Sequence, residues 1–138
     1  MPHGRLDGLV GILNSTDEPT TLLATTIGQL KGLKKLDLTG SAIRSLPDEV
    51  GGLACLETLN LDDTKQLTTL PTSIGQLKAL QRLYLSGSAI RSLPEEVGGL
   101  ACFETLDLEQ TKQLTALPTT IGQLNALKGL YLNGSAIR

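Results

Sequence analysis

Aromatic residues are nearly missing from this chain. Its 138 residues include two Tyr, one Phe and no Trp. A globular core usually interlocks side chains of mixed size and shape. Here the 40% hydrophobic fraction is dominated by Leu. A core of nearly uniform Leu suits a small packing unit stacked repeatedly.

Other scarcities exclude chemistry. His3 is the single His and has no adjacent acid or Cys. It builds neither a catalytic triad nor a metal site. The Gly segments, such as Val50-Gly51-Gly52, lack the Lys-Ser/Thr ending of a phosphate loop. Acidic residues are spread without an acid/base pair. The reading is therefore a non-enzyme without cofactor or metal.

Lys and Arg total 12 against 14 Asp and Glu, for a net charge of -2. No basic cluster offers a phosphate-backbone footprint, which argues against nucleic acid. No apolar run approaches the ~20 residues of a membrane span. Met1 to Leu13 does not have the form of a signal peptide. The sequons at Asn14 and Asn133 then read as chance, and the expected setting is cytoplasmic.

The two cysteines, Cys55 and Cys102, hold equivalent places two modules apart, where Gly32, Ala79 and Ala126 stand elsewhere. They read as small, buried, reduced residues. Two strand spacings put them roughly 10 Å apart, beyond a disulfide's reach of ~7 Å.

What the chain has in abundance is repetition. Residues 41–87 and 88–134 align without a gap and differ at 11 of 47 positions. Each 47-residue unit is two modules. The pattern LxxLxxLxL starts at Leu30, Leu53, Leu77, Leu100 and Leu124, in steps of 23, 24, 23 and 24 residues. A degraded copy, Leu6-Leu9-Ile12, precedes them. Residues 1–29 read as a worn repeat or N-terminal cap, and 30–138 as repeats with the last one incomplete.

The pattern LPxxIGxLxxLxxLxL resembles the plant-type leucine-rich repeats. The alternation of "SAIRSLP" and "TKQLTTLP" modules is most similar to plant intracellular disease-resistance receptors, and also to plant intracellular Ras-group-related repeat proteins. The resemblance implies an α/β solenoid, a leucine-rich-repeat horseshoe. Short parallel strands line its concave face and short helical turns its convex face. It also implies protein binding. The alternative is a ligand-sensing or structural repeat segment of a larger intracellular receptor.

The residues agree. Leu36 and Leu38 alternate as in a strand with one buried side. Pro47, Pro71, Pro94 and Pro118 suit the first turn of a helix, and Ser92 with Glu95 has capping-box spacing. Ser41, Thr64, Ser88, Thr111 and Ser135 follow the strands, and a hydroxyl ladder there would tie down the turns.

The concave candidates are the polar residues around the strand leucines. One column runs Lys34-Glu57-Gln81-Glu104-Lys128, another Asp37-Asn60-Tyr84-Asp107-Tyr131. Acidic modules next to basic or aromatic ones suggest cross-strand pairing. Six of the 11 differences fall on this face: 60/107, 62/109, 63/110, 81/128, 82/129 and 86/133. The expected contacts to another protein are Tyr84, Tyr131, Arg82, Glu57, Glu104, Asp107, Lys34 and Lys128, with the tyrosines as anchors. The module at 124–138 carries no polar cap, and self-association through it is expected.

Overall fold

The computed structural model describes Ile27 and residues 29–137. The expected cap over 1–29 lies outside them apart from Ile27 and Gln29. Five three-residue strands run in chain order: β1 (Lys35–Asp37), β2 (Thr58–Asn60), β3 (Arg82–Tyr84), β4 (Thr105–Asp107) and β5 (Gly129–Tyr131). They form one parallel sheet in that order. Leu36, Leu59, Leu83, Leu106 and Leu130 are successive register partners. The alternating sequence steps are thus the register of the sheet.

Backbone pairing extends past the strands at both ends. The Glu57 N–H donates to the Lys34 carbonyl (2.8 Å), and the Gly40 N–H to the Asp62 carbonyl (2.8 Å). The chain then turns sharply. The Ser41 N–H donates to the Leu38 carbonyl at 3.0 Å, and Gly40 between them has φ 74°. Gly87 and Gly134 repeat that left-handed conformation at φ 71° and 79°. Glycine adopts it without a Cβ clash. The other two turns place Asp63 and Gln110 at φ 58° instead.

On the opposite side lie four five-residue 3-10 helices: η1 (Asp48–Gly52), η2 (Thr72–Gln76), η3 (Glu95–Gly99) and η4 (Thr119–Gln123). Here the expected helix start needs correction. Each Pro is the N-cap in extended conformation, with no side-chain cap bond. The Pro carbonyl closes the turn, as in Val50 N–H to Pro47 at 3.1 Å. The Ser92–Glu95 box does not form, because the Glu95 carboxylate reaches forward to the next module. Gly51, Gly75 and Gly98 let consecutive turns touch: a Cβ on Gly51 would lie 2.7 Å from the Ser73 carbonyl oxygen.

The core is one leucine column between sheet and turns. Leu59, Leu61, Leu83, Leu85, Leu106 and Leu108 are fully buried, as is Phe103. Each such side chain contributes roughly 1.5–3 kcal/mol by leaving water.

The hydroxyl ladder is buried except at half-buried Ser135, and its members work differently. Thr64 and Thr111 donate to the Leu61 and Leu108 carbonyls at 2.7 and 2.5 Å. Ser41 and Ser135 instead accept the N–H groups of Ile43 and Ile137 at 3.1 and 3.4 Å. The Ser88 hydroxyl is buried without a partner.

The cysteine expectation is wrong on burial. Cys55 and Cys102 are free and exposed. Leu53 and Leu56 take the core positions on either side of Cys55. At the equivalent Gly32 an added Cβ would meet nothing within 4 Å. Packing does not demand a small residue there.

Candidate functional site

The outward side of the sheet is a regular array of mostly polar side chains in strand register. A parallel strand sends alternate residues to opposite sides. With Leu83 buried, Arg82 and Tyr84 stand on the outer face, and both are half-buried. Tyr84 is the register partner of Asp107, and Asp107 of Tyr131. The two tyrosines therefore lie two strands apart, roughly 10 Å, with a carboxylate between them. Tyr131 is 50% exposed.

The other four expected contacts sit slightly elsewhere. Lys34, Glu57, Glu104 and Lys128 each precede a strand by one residue. They form a row along one edge of the face, with the lysines exposed and the glutamates half-buried.

Asp107 has a second role that the sequence reading did not assign. Its Oδ1 accepts the Glu109 N–H at 3.0 Å. Asn60 does the same for Asp62 (3.0 Å), and Asp37 for Thr39 (3.1 Å). These short side chains fold back on the turn two residues ahead, as Asx residues do. The signal was available: Asp or Asn directly before the last strand Leu.

Asp62 was also absent from the expected contacts. It is half-buried, and its carboxylate accepts the Ser86 N–H of the next module at 2.8 Å. Burial raises its pKa above the ordinary carboxylate range. The Ser86 N–H opposes that rise, and the charges of Asp107, Asp63 and Asp37 add to it.

The expected cross-strand ion pairing is not found. Among the described residues the one ion pair is Lys65 Nζ to Asp63 Oδ1, 3.6 Å apart within a single exposed turn. Residues opposite one another on the strands, such as Asp37 with Asn60 or Arg82 with Thr105, are not oppositely charged. Neither a cluster of metal-ligating residues nor a helix long and apolar enough to cross a membrane occurs among the described residues.

A family model described as a leucine-rich repeat region matches residues 12–89, more than half of the chain. The chain belongs to the leucine-rich-repeat family. Its leucine-rich repeats are similar to those of solved structures. A leucine-rich-repeat protein of Leptospira interrogans is 42% identical, with a TM-score of 0.78, over 84% of this chain and 29% of that one. A plant peptide hormone receptor, RGFR1 in complex with RGF2, is 33% identical with a TM-score of 0.66, over 80% of this chain and 18% of the receptor. The leucine-rich repeat domain of the type III effector XopL shares the fold, at 23% identity and a TM-score of 0.74, over 99% of this chain and 52% of that one. The chain thus spans under a third of the first two proteins. Among curated proteins none matches. Leucine-rich-repeat domains are in general protein-interaction modules and typically non-catalytic, and no enzyme family is indicated.

Proposed function

We propose that this chain binds a partner protein through the outer face of its sheet. The observation that carries the reading is the face itself: a rigid array of strand residues, half-buried to exposed, with Tyr84 and Tyr131 in one row. Six of the 11 differences between the two copies fall on it, while the leucine frame changes at one position, Leu56 to Phe103. The contacts are Tyr84, Tyr131, Arg82, Glu57, Glu104, Asp107, Lys34 and Lys128. Y84A and Y131A should each weaken binding to an authentic partner by about 1–2 kcal/mol and leave the far-UV circular dichroism unchanged. Unchanged affinity in titration calorimetry would remove the tyrosines from the site.

A second reading is a repeat segment of a larger intracellular receptor. It is favoured by the small share of the hormone receptor that this chain spans. The alternation of two module types supports the plant intracellular subtype. Exposed free thiols at Cys55 and Cys102 support a reducing, cytoplasmic setting. Self-association through the 124–138 module also belongs to the proposal. Leu130 on β5 is 38% exposed, whereas the equivalent Leu36, Leu59, Leu83 and Leu106 are fully buried. Light scattering that shows a clean monomer at high concentration would sink it.

A further inference from the structure

The two halves of the face differ in charge. The half where the strands begin holds Lys34, Lys35, Arg82 and Lys128, together with Glu57 and Glu104. The half where they end holds Asp37, Asp62, Asp107 and Glu109, and the last residue of each strand (Asp37, Asn60, Tyr84, Asp107 or Tyr131) is never a cation. The lysines beyond the turns, Lys65 and Lys112, are engaged there. Lys65 pairs with Asp63 and donates to the Gly87 carbonyl at 2.8 Å; Lys112 donates to Gln110 at 3.1 Å. None of the four acids has an ion-pair partner among the described residues.

We infer that the partner segment is extended and basic, and that it crosses the strands over their C-terminal half. The inference rests on the face being the binding site and adds the chemistry of what binds there. Asp62 and Glu109 occupy equivalent positions two modules apart, roughly 10 Å. Tyr84 stands on the module between them. A polyproline II chain has three residues per turn and a ~3.1 Å rise. It returns residue i+3 to the same side after about 9 Å. Lys or Arg at i and i+3 therefore meets the two acidic modules, and the residues between them pack on Tyr84. Tyr131 receives the next apolar position. An acidic segment is repelled at this half, so the face selects by charge as well as by shape.

The test selects random 12-residue peptides displayed on phage against the intact chain at low salt. The recovered peptides are then titrated against two variants: D62N/D107N/E109Q, and Y84A/Y131A. Asn keeps the acceptor oxygens used by the Ser86 and Glu109 N–H groups, so the first variant retains its turns. The expected result is enrichment of Lys or Arg pairs three residues apart. Binding should weaken at least about tenfold in the charge variant and fall steadily as salt screens the wild-type interaction. Peptides that depend on the tyrosines but not on the acids overturn the basic partner and leave the binding face standing. Peptides indifferent to both variants overturn both readings. An empty selection, or salt-independent binding to the wild type, also overturns the basic partner.

Discussion

The two 47-residue copies are nearly the same sequence, yet the two modules within each copy are joined differently. In the second copy, Glu95 accepts from the Thr119 hydroxyl at 2.8 Å and from the N–H groups of Thr119 and Thr120, both at 3.2 Å. The Thr120 hydroxyl donates back to the Glu95 carbonyl at 2.6 Å. In the first copy Asp48 replaces Glu95 and Ser73 replaces Thr120. Neither makes the corresponding bond, and the Ser73 hydroxyl is buried without a partner. One methylene decides whether a carboxylate spans the gap between modules. The core responds otherwise: Leu56 and Phe103 differ by far more in volume, and both are fully buried. Apolar contact adjusts to size, whereas a hydrogen bond needs reach and direction.

If the copies share one frame, L59A and L106A should cost about 2–5 kcal/mol each and differ little from one another. Urea unfolding measures both. A large asymmetry would show that the second copy's bridge, or its Phe103, alters how the core relaxes.

The bridge itself should be visible in pH dependence. The Thr119 hydroxyl bond is the main cause holding Glu95 below the ordinary carboxylate range; desolvation opposes it, and the Thr119 and Thr120 N–H groups assist. A depressed folded pKa means the unfolded state binds the proton more readily. The stabilisation is therefore complete above the ordinary Glu range and disappears as pH falls through the lowered value. E95Q should lower the urea midpoint at neutral pH, and the deficit should shrink in acid. D48E together with S73T should give the first copy the same response. A midpoint difference that stays constant with pH would show that the Glu95 charge has no part in it.

The smallest effect belongs to the turns. Gln110 and Asp63 hold the left-handed conformation that Gly40, Gly87 and Gly134 hold elsewhere. Q110G should stabilise by about 0.5 kcal/mol, the residue of αL strain relieved over Gly entropy lost. D63G should gain less, because Asp tolerates this region better and Asp63 pairs with Lys65. Calorimetric melting of the two single variants ranks them.

The leucine frame, strand positions and outer face were legible in the sequence because all follow from a period. A one-residue slip would turn Leu36 and Leu38 outward together. What escaped was set by reach. The spacing of Ser92 and Glu95 fits a capping box, but nothing local reveals that Thr119 and Thr120 lie closer to the carboxylate. Cys55 shares its position with Gly and Ala, and small size there was taken for burial when the site is open. Alternating charge along the modules suggested ion pairs; Lys34 with Glu57 and Glu104 with Lys128 are opposite in charge on adjacent modules, yet they form no ion pair, and strand partners such as Asp37 and Asn60 are not opposite in charge. Tyr84, Tyr131 and Arg82 were placed on the face from strand alternation alone; which protein meets them is not encoded in a period.

The glycines of the 3-10 turns give the stack a direction. Each of Gly51, Gly75 and Gly98 is a notch, and the following turn fills it with a bump: Ser73, Glu96 or Thr120. Gly122 repeats the notch, but an added Cβ there would meet nothing within 4 Å. A two-fold contact at that edge sets notch against notch and leaves both empty. A head-to-tail neighbour sets a different edge of the stack against the notch. Whatever seats itself on β5 and η4 is thereby given an orientation as well as an apolar surface.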